Sequence, residues 1–273
     1  MLPLKQSGQF LASRPLIMGV VNVTPDSFSD GGLWVSAENA VRHAQCLIEQ
    51  GADVVDIGGE STRPGSKPVS VAEEIERIMP VVEALVGMNA CVSIDTSKPE
   101  VMRAVIEAGA QMINDVKALQ APGALEAVAE GGVVVCLMHM QGEPRSMQTN
   151  PRYGNVVTEV KDFLRDRVDS AKAAGISLEH LVIDPGFGFG KTLAHNIELL
   201  RHLDSFLDIE VPLMVGLSRK SMLGKITGNE TGDRIHASVV AALLAYMKGA
   251  RILRVHDVKA TRDAIAVYNA ING

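Results

Sequence analysis

The chain has 273 residues, a formal net charge of -6, 47% apolar residues and only 4% aromatic residues. The negative charge and the lack of any block or stripe of Lys and Arg along the sequence argue against a nucleic-acid-binding protein. No apolar stretch approaches the ~20 residues of a membrane-spanning helix and residues 1–15 carry no signal-peptide pattern, so we expect a cytoplasmic protein without membrane contact.

Eight short apolar runs recur along the chain, and each of them ends at a polar or charged residue. Runs of this length that are rich in β-branched residues predict strands buried on both faces. An amphipathic stretch long enough for a helix follows each run, which predicts an α/β fold with a single (β/α)8 TIM barrel over residues 1–273. Length alone would also allow two ordinary domains. The runs end at Asn22, Asp56, Asp95, Asn114, His139, Asp184, Ser218 and Arg254.

Two long connections follow the first two predicted strands. Residues 22–35 and 58–69 are rich in Gly, Pro, Ser and Thr, which is typical of mobile lids or binding loops. Capping-box patterns predict that the next two helices begin near Ser70 and near Ser97. Each of these connections therefore leads from a strand end at the rim into a helix.

The three cysteines and one apolar segment indicate further features of the fold and of the assembly. Cys46, Cys91 and Cys136 show no metal or disulfide spacing, so we expect three buried thiols. Residues 237–247 are apolar nearly all round, although an outer helix of a barrel needs only one buried stripe. Either small alanines are tolerated at the surface or the second face forms a homodimer contact, and we expect the homodimer.

The carboxyl ends of parallel strands in a barrel meet at one rim, so the polar residues that follow them converge. Asp95, Asn114 and Asp184 come from three different strands and together suit a flat heterocycle with several N-H donors. Each carboxylate could instead be structural and accept hydrogen bonds from neighbouring backbone amides.

The glycine-rich run at residues 184–192 does not fit a nucleotide-binding loop, because Pro185 stands where the first glycine of a P-loop should be. The glycines would let the chain turn tightly and present Phe187 and Phe189. For Phe189, a stacking surface and a loop anchor remain equally possible.

Cations from other rim positions indicate an anionic group such as a phosphate. They are Arg63, Arg219, Lys220, Arg254 and His256. Arg254 and His256 could instead form a solvated helix start. Asn22 is the best rim candidate for Mg2+, which proteins often hold with one or two oxygens plus substrate phosphates.

Eight segments in this order closely resemble the dihydropteroate synthase family of the folate pathway, and they cover nearly the whole chain. They are residues 22–32 (NVTPDSFSDGG), 56–65 (DIGGESTRPG), 93–99 (SIDTSKP), 113–116 (INDV), 137–142 (LMHMQG), 184–191 (DPGFGFGK), 218–221 (SRKS) and 254–258 (RVHDV). The resemblance implies a homodimeric TIM barrel. It also implies an enzyme that joins 6-hydroxymethyl-7,8-dihydropterin pyrophosphate to p-aminobenzoate and releases pyrophosphate.

By this resemblance, the pterin pocket consists of Asp95, Asn114, Met138, Asp184, Gly216 and Lys220. The pyrophosphate site consists of Asn22, Thr62, Arg63, Arg254 and His256, with Mg2+ bound at Asn22. The p-aminobenzoate site consists of Thr62, Arg63, Phe189 and Ser221. Asp95, Lys220 and Arg63 are the implied catalytic residues.

A dissociative displacement suits this chemistry, because pyrophosphate is a good leaving group and the cation that remains is delocalised over the dihydropterin. Electrostatic stabilisation by Asp95 of about 3 kcal/mol would then matter more than a nucleophilic side chain. Two alternatives stay open. One is a methyltransferase that moves a methyl group from methyltetrahydrofolate to a corrinoid protein, and the other is a non-catalytic pterin-binding barrel.

Overall fold

The computed structural model describes residues 14–23, 32–61, 68–144 and 146–272. Eight strands run through this part of the chain: β1 (Leu16–Asn22), β2 (Val54–Gly58), β3 (Val92–Asp95), β4 (Met112–Asp115), β5 (Val134–Met138), β6 (Leu181–Asp184), β7 (Met214–Val215) and β8 (Ile252–Val255). The helices are α1 (Gly32–Glu49), α2 (Val71–Gly87), α3 (Pro99–Glu107), α4 (Ala124–Gly131), α5 (Val156–Ala173), α6 (Leu193–Arg201), α7 (Ser221–Thr227), α8 (Ile235–Met247) and α9 (Val258–Asn272).

The strands are all parallel and lie in the order β6-β5-β4-β3-β2-β1-β8-β7. The two ends of this sheet also meet, because Ile183 forms a parallel bridge with Leu213 and its backbone N-H donates to the Pro212 carbonyl at 3.0 Å. The predicted TIM barrel is therefore confirmed. In the described part of the chain, β7 is followed by two α-helices, α7 and α8, whereas each of the other strands is followed by one α-helix.

The side chains inside the barrel change from apolar to polar along the strands. Buried side chains at the amino-terminal end of the interior form one apolar cluster: Leu16, Met18, Val54, Cys91, Met112, Val134, Cys136, Val182, Met214 and Ile252. Because side chains alternate faces along a strand, the residue two positions later points inward again. Those positions hold Asp56 in β2, Asn114 in β4, Asp184 in β6 and Arg254 in β8. The polar set thus lies above the apolar floor, at the carboxyl rim.

The larger apolar cluster lies between the outer face of the sheet and the helices. Cys91 and Cys136 are buried, as predicted, but Cys46 is exposed on α1 because it lies on the solvent side of that helix. No helix among residues 14–23, 32–61, 68–144 and 146–272 is long and apolar enough to cross a membrane.

The connections at the rim differ in detail from the sequence patterns. α1 begins at Gly32, so the predicted loop at 22–35 ends earlier than expected. Residues 24–31 and 62–67, which make up most of the two loops predicted to be mobile, lie outside the described residues. β5 and α5 are joined by another long connection, residues 139–155.

Only one of the two predicted caps is formed by a serine. The Ser70 side chain accepts a hydrogen bond from the Glu73 N-H at 3.2 Å at the start of α2. α3 instead begins at Pro99, after Lys98, without a side-chain cap. The cap predicted at Ser97 is therefore wrong, because proline at the first helical position moves the boundary one residue along.

This difference predicts unequal effects of two matched substitutions. Ser70→Ala should lower the free energy of unfolding by about 1 kcal/mol, because an N-terminal N-H of α2 loses its acceptor. Ser97→Ala should change it by less than about 0.5 kcal/mol. Urea denaturation followed by circular dichroism measures both values, and equal losses would contradict the assignment of the caps.

Candidate active site

Asp56 in β2 is fully buried and accepts hydrogen bonds from three other strands. Its donors are Ser93 Oγ at 2.6 Å, Asn114 Nδ2 at 3.0 Å and Arg254 Nε at 2.7 Å. A buried carboxylate is stable only when charge and hydrogen bonds compensate for its lost hydration. Asp56 had no predicted role, although it ends the second apolar run, just as Asp95 and Asp184 end theirs.

Arg254 connects Asp56 to Asp95, because its Nη2 group donates to Asp95 Oδ2 at 2.9 Å. Burial disfavours the guanidinium charge, but Asp56 and Asp95 outweigh it and raise the pKa of Arg254 above its usual value. The side chain is therefore a charged member of the barrel interior. The alternative of a solvated helix start does not fit this position.

Two acceptor atoms in the same region have no hydrogen-bond partner among the described residues: Asp95 Oδ1 and Asn114 Oδ1. Both residues are buried, and they are direct neighbours in register on β3 and β4, so their side chains point to the same face. Leaving a buried acceptor unpaired costs about 1–3 kcal/mol. A ligand with N-H donors that reach both oxygens would remove that cost.

Asp184 ends β6 and is also buried. Its Oδ1 accepts one hydrogen bond from the Gly186 N-H at 2.7 Å. Burial raises the pKa of Asp184, and the nearby charge of Lys220 opposes that shift. Met138, its register partner on β5, is buried beside it.

Lys220 lies immediately before α7, and its ammonium group contacts the glycine-rich connection that follows β6. It donates to the Phe187 carbonyl and lies 4.7 Å from the centre of the Phe189 ring. Burial lowers the pKa of Lys220 to about 8, although Asp184 opposes the shift. Phe187 is fully buried and anchors the connection, while the half-buried Phe189 presents its ring to this cation.

Other residues predicted for the site follow β7 and β8 or begin α7. Gly216 lies against Arg254, since a Cβ atom there would be 3.7 Å from Arg254 Cβ. Ser221 is exposed at the first position of α7. Ser218 Oγ lies 3.1 Å from both the backbone nitrogen and the Nδ1 atom of His256, and these contacts orient the imidazole ring. No pattern in the sequence predicts them.

Asn22 is half-buried at the end of β1, next to Gly58 in register. No group of three or more His, Cys, Asp or Glu side chains within the described ranges could hold a metal ion. Asn22 can supply one amide oxygen, a hard donor of the kind that Mg2+ accepts when phosphates provide most of the other ligands. Thr62 and Arg63, predicted for two of the subsites, lie outside the described residues.

Lys191 and His139 also lie in this region and had no predicted role. Lys191 is only 3% exposed, and its Nζ atom is 2.9 Å from His139 Nδ1. One feature of the sequence could have indicated a role for Lys191. It is the single charged residue that follows Asp184 in the glycine-rich run at residues 184–192.

Comparisons with known proteins identify the family to which the chain belongs. Residues 18–256 match the family model described as pterin binding enzyme. The chain is 51% identical over 259 residues to the dihydropteroate synthase of Escherichia coli (strain K12), which covers 94% of this chain and 92% of that protein. It is 49% identical over 259 residues to the dihydropteroate synthase of Haemophilus influenzae, with 94% of each chain covered.

Solved structures give the same result. A Xanthomonas albilineans dihydropteroate synthase with 4-aminobenzoic acid has a TM-score of 0.91 and 53% identity, covering 95% of this chain and 94% of that one. A structure of dihydropteroate synthase from Xanthomonas albilineans in complex with 7,8-dihydropteroate has a TM-score of 0.87 and 51% identity with the same coverage. The chain therefore belongs to the pterin-binding enzyme family and, within it, to the dihydropteroate synthases.

Proposed function

We propose that this protein is a transferase that joins 6-hydroxymethyl-7,8-dihydropterin pyrophosphate to p-aminobenzoate, giving 7,8-dihydropteroate and pyrophosphate. The observation that carries the proposal is the pair of buried, unpaired acceptors at Asp95 and Asn114. The related Xanthomonas albilineans structures with 4-aminobenzoic acid and with 7,8-dihydropteroate support both halves of the reaction.

The pterin substrate suits the hydrogen-bond acceptors and the hydrogen-bond donor at the centre of the rim. Asp95 Oδ1, Asn114 Oδ1 and the Asp184 carboxylate can accept hydrogen bonds from the amino group and ring N-H groups of a pterin. Lys220 can donate to the pterin carbonyl. Met138 and Gly216 form walls beside the ring, so the pocket combines flat apolar sides with polar edges.

In the proposed reaction the bond between the pterin methylene carbon and the pyrophosphate oxygen breaks. A new bond forms from the same carbon to the amine nitrogen of p-aminobenzoate, which then loses a proton. Departure of pyrophosphate leaves positive charge on the dihydropterin. The Asp95 carboxylate, held by Arg254, is placed to stabilise that charge without forming a covalent bond.

The pyrophosphate site combines Asn22, Arg254 and His256 with Thr62 and Arg63 from the connection after β2. Asn22 would hold Mg2+ through its amide oxygen, and the ion would supply positive charge to neutralise the leaving pyrophosphate. Arg254 donates through Nε and Nη2 to two carboxylates, which leaves three of its five N-H donors for phosphate oxygens.

The p-aminobenzoate site is expected beside Phe189 and Ser221, with Thr62 and Arg63 completing it. The half-buried Phe189 ring offers an aromatic face next to the Lys220 ammonium group. An aromatic carboxylate can pack on that face while its charge lies near cations.

A coupled pyrophosphate-release assay with both substrates and magnesium tests the function. Release should require both p-aminobenzoate and Mg2+, and 7,8-dihydropteroate should form in equal amount. A protein that binds pterin but releases no pyrophosphate would be a non-catalytic barrel. Methyl transfer from methyltetrahydrofolate to a corrinoid in a parallel reaction would support the methyltransferase alternative.

The pH dependence of the reaction should report on Asp95. Burial raises the pKa of Asp95 to about 7, even though the charge of Arg254 opposes the shift. The ionised carboxylate stabilises positive charge, so kcat/KM for the pterin substrate should fall about tenfold per pH unit below that pKa. Asp95→Asn should lower kcat about 100-fold near pH 8 and should lose this acid limb.

The substrate phosphates also take up protons in acid, and both enzymes share that effect. The difference between the two pH profiles of kcat/KM therefore isolates the effect of Asp95 ionisation. An identical acid limb in the wild type and in Asp95→Asn would contradict its proposed role.

We further propose that the protein forms a homodimer through α8. The buried side of this helix carries Ser238, Ala241, Ala242 and Ala245. The opposite side exposes Val240 by 56%, Leu244 by 43% and Met247 by 55%. Apolar side chains on one helix face outside the core are typical of an interface between copies.

Val240→Lys or Leu244→Lys should give a folded protein that dissociates, because a charge in an apolar interface must lose its hydration. Leu178→Lys, at another exposed apolar position, is the matched control and should leave the assembly unchanged. Sedimentation velocity measures the mass of each species. A wild-type monomer at micromolar concentration would exclude this interface.

A further inference from the structure

Lys191 is a buried side chain that the proposed reaction does not use, and burial lowers its pKa well below the usual value for lysine. Its Nζ atom is surrounded by backbone carbonyls of the glycine-rich connection, residues 186–190, named here the glycine loop. It donates to the Gly186 carbonyl at 2.9 Å and to the Phe189 carbonyl at 3.0 Å. The ammonium group therefore lies inside the curve of this loop and joins its two ends.

His139 supplies the third acceptor. His139 Nδ1 lies 2.9 Å from Lys191 Nζ, and the His139 carbonyl lies at 3.4 Å. Burial, together with the charge of Lys191, lowers the pKa of His139 to about 3, so its ring is neutral and Nδ1 can accept. In its protonated form the Lys191 amine has three N-H donors, and these three close acceptors use all of them.

The backbone of the glycine loop lies directly against the connection that follows β5. A Cβ atom on Gly186 would be 1.9 Å from the His139 carbonyl oxygen, and one on Gly190 would be 2.2 Å from the Gln141 carbonyl oxygen. Both glycines have positive φ, at 68° and 62°, which side chains other than glycine rarely adopt. The two connections are thus held in contact, with Lys191 between them.

The glycine loop carries the groups that border the second substrate. Phe187 offers its carbonyl to Lys220, and Phe189 places its ring beneath the same ammonium group. The Asp184 backbone, by contrast, is held by the sheet, since its carbonyl accepts from the His139 N-H at 3.0 Å and its strand pairs with β5. The contact of Asp184 with the glycine loop is a single hydrogen bond, which its carboxylate accepts from the Gly186 N-H at 2.7 Å. Movement of the glycine loop should therefore disturb Phe189 and Lys220 more than Asp184.

We propose that Lys191 is a positioning residue for the second substrate: through His139 it fixes the glycine loop, and the loop fixes Phe189 and Lys220 around p-aminobenzoate. This inference rests on the proposed synthase function. It assigns specificity for the aromatic amine to a contact between two loops, with no direct contact from Lys191 to substrate.

The first test compares Lys191→Met, which keeps the length and apolar stem of lysine and removes its donors, with Arg167→Met. Arg167 is the matched control because it also donates to loop carbonyls, at Ala118 (2.7 Å) and Leu119 (3.1 Å), but after β4. Lys191→Met should raise the KM for p-aminobenzoate about tenfold or more and change the Kd of a pterin analogue less than about threefold. Arg167→Met should change neither by more than about threefold.

Hydrogen exchange of the peptide that contains residues 185–192 gives a readout of loop order that is independent of turnover. Its protection should fall in Lys191→Met and stay at the wild-type level in Arg167→Met. A KM shift of equal size in both variants, or an unchanged KM in Lys191→Met, would overturn the proposal.

A second pair of variants decides the question if Lys191→Met does not fold. His139→Asn and His139→Leu both lose the ring that packs edge-on against Phe163 at 4.9 Å, but only asparagine keeps an acceptor for Lys191. The KM for p-aminobenzoate should rise in His139→Leu and be largely restored in His139→Asn. Equal values in the two variants would overturn the proposal.

The wild type is measured first in the same synthase assay, so that failure of the two proposals can be told apart. Without wild-type turnover the proposed function fails. Binding of p-aminobenzoate to the complex with a pterin analogue and magnesium pyrophosphate, together with loop exchange, would then still show whether Lys191 positions this pocket.

Discussion

The buried carboxylate of Asp56 is the charge on which the arrangement of the rim depends. It lies inside β2 with no solvent exposure, so its stability requires the donors of Ser93, Asn114 and Arg254 from three other strands. Arg254 in turn brings Asp95 into the network. Since each partner is itself tied to a strand of the barrel, closure of the sheet and placement of the polar side chains occur together.

The same network leaves acceptors for a ligand. Asn114 uses its amide nitrogen for Asp56, and Asp95 uses Oδ2 for Arg254, so the second oxygen of each remains without a partner in the described part of the chain. Such sites lower the stability of the folded protein when no ligand is bound. They also give selectivity, because only a ligand with correctly placed N-H groups recovers the lost hydrogen bonds.

The pterin site and the p-aminobenzoate site differ in the structural elements that position their residues. The pterin acceptors come from strands, whose positions are set by the sheet ladder. The groups around p-aminobenzoate come from connections: Phe189 from the glycine loop, Lys220 from the end of the β7 connection, and the predicted Thr62 and Arg63 from residues outside the described part. A pocket built on connections needs additional contacts to hold its shape, and the buried Lys191 provides such contacts for the glycine loop.

The sequence by itself determined the eight-strand barrel, because eight apolar runs of strand length alternate with amphipathic stretches of helix length. It also placed Asp95, Asn114, Asp184 and Lys220 on one rim, since parallel strands end together, and the family resemblance supplied the proposed reaction. Only the tertiary structure decided which atoms of these residues are paired with one another and which are left for a ligand. The role of Asp56 and the contact of Lys191 with His139 depend on residues far apart in the chain. Such contacts follow from closure of the barrel, which no local pattern encodes.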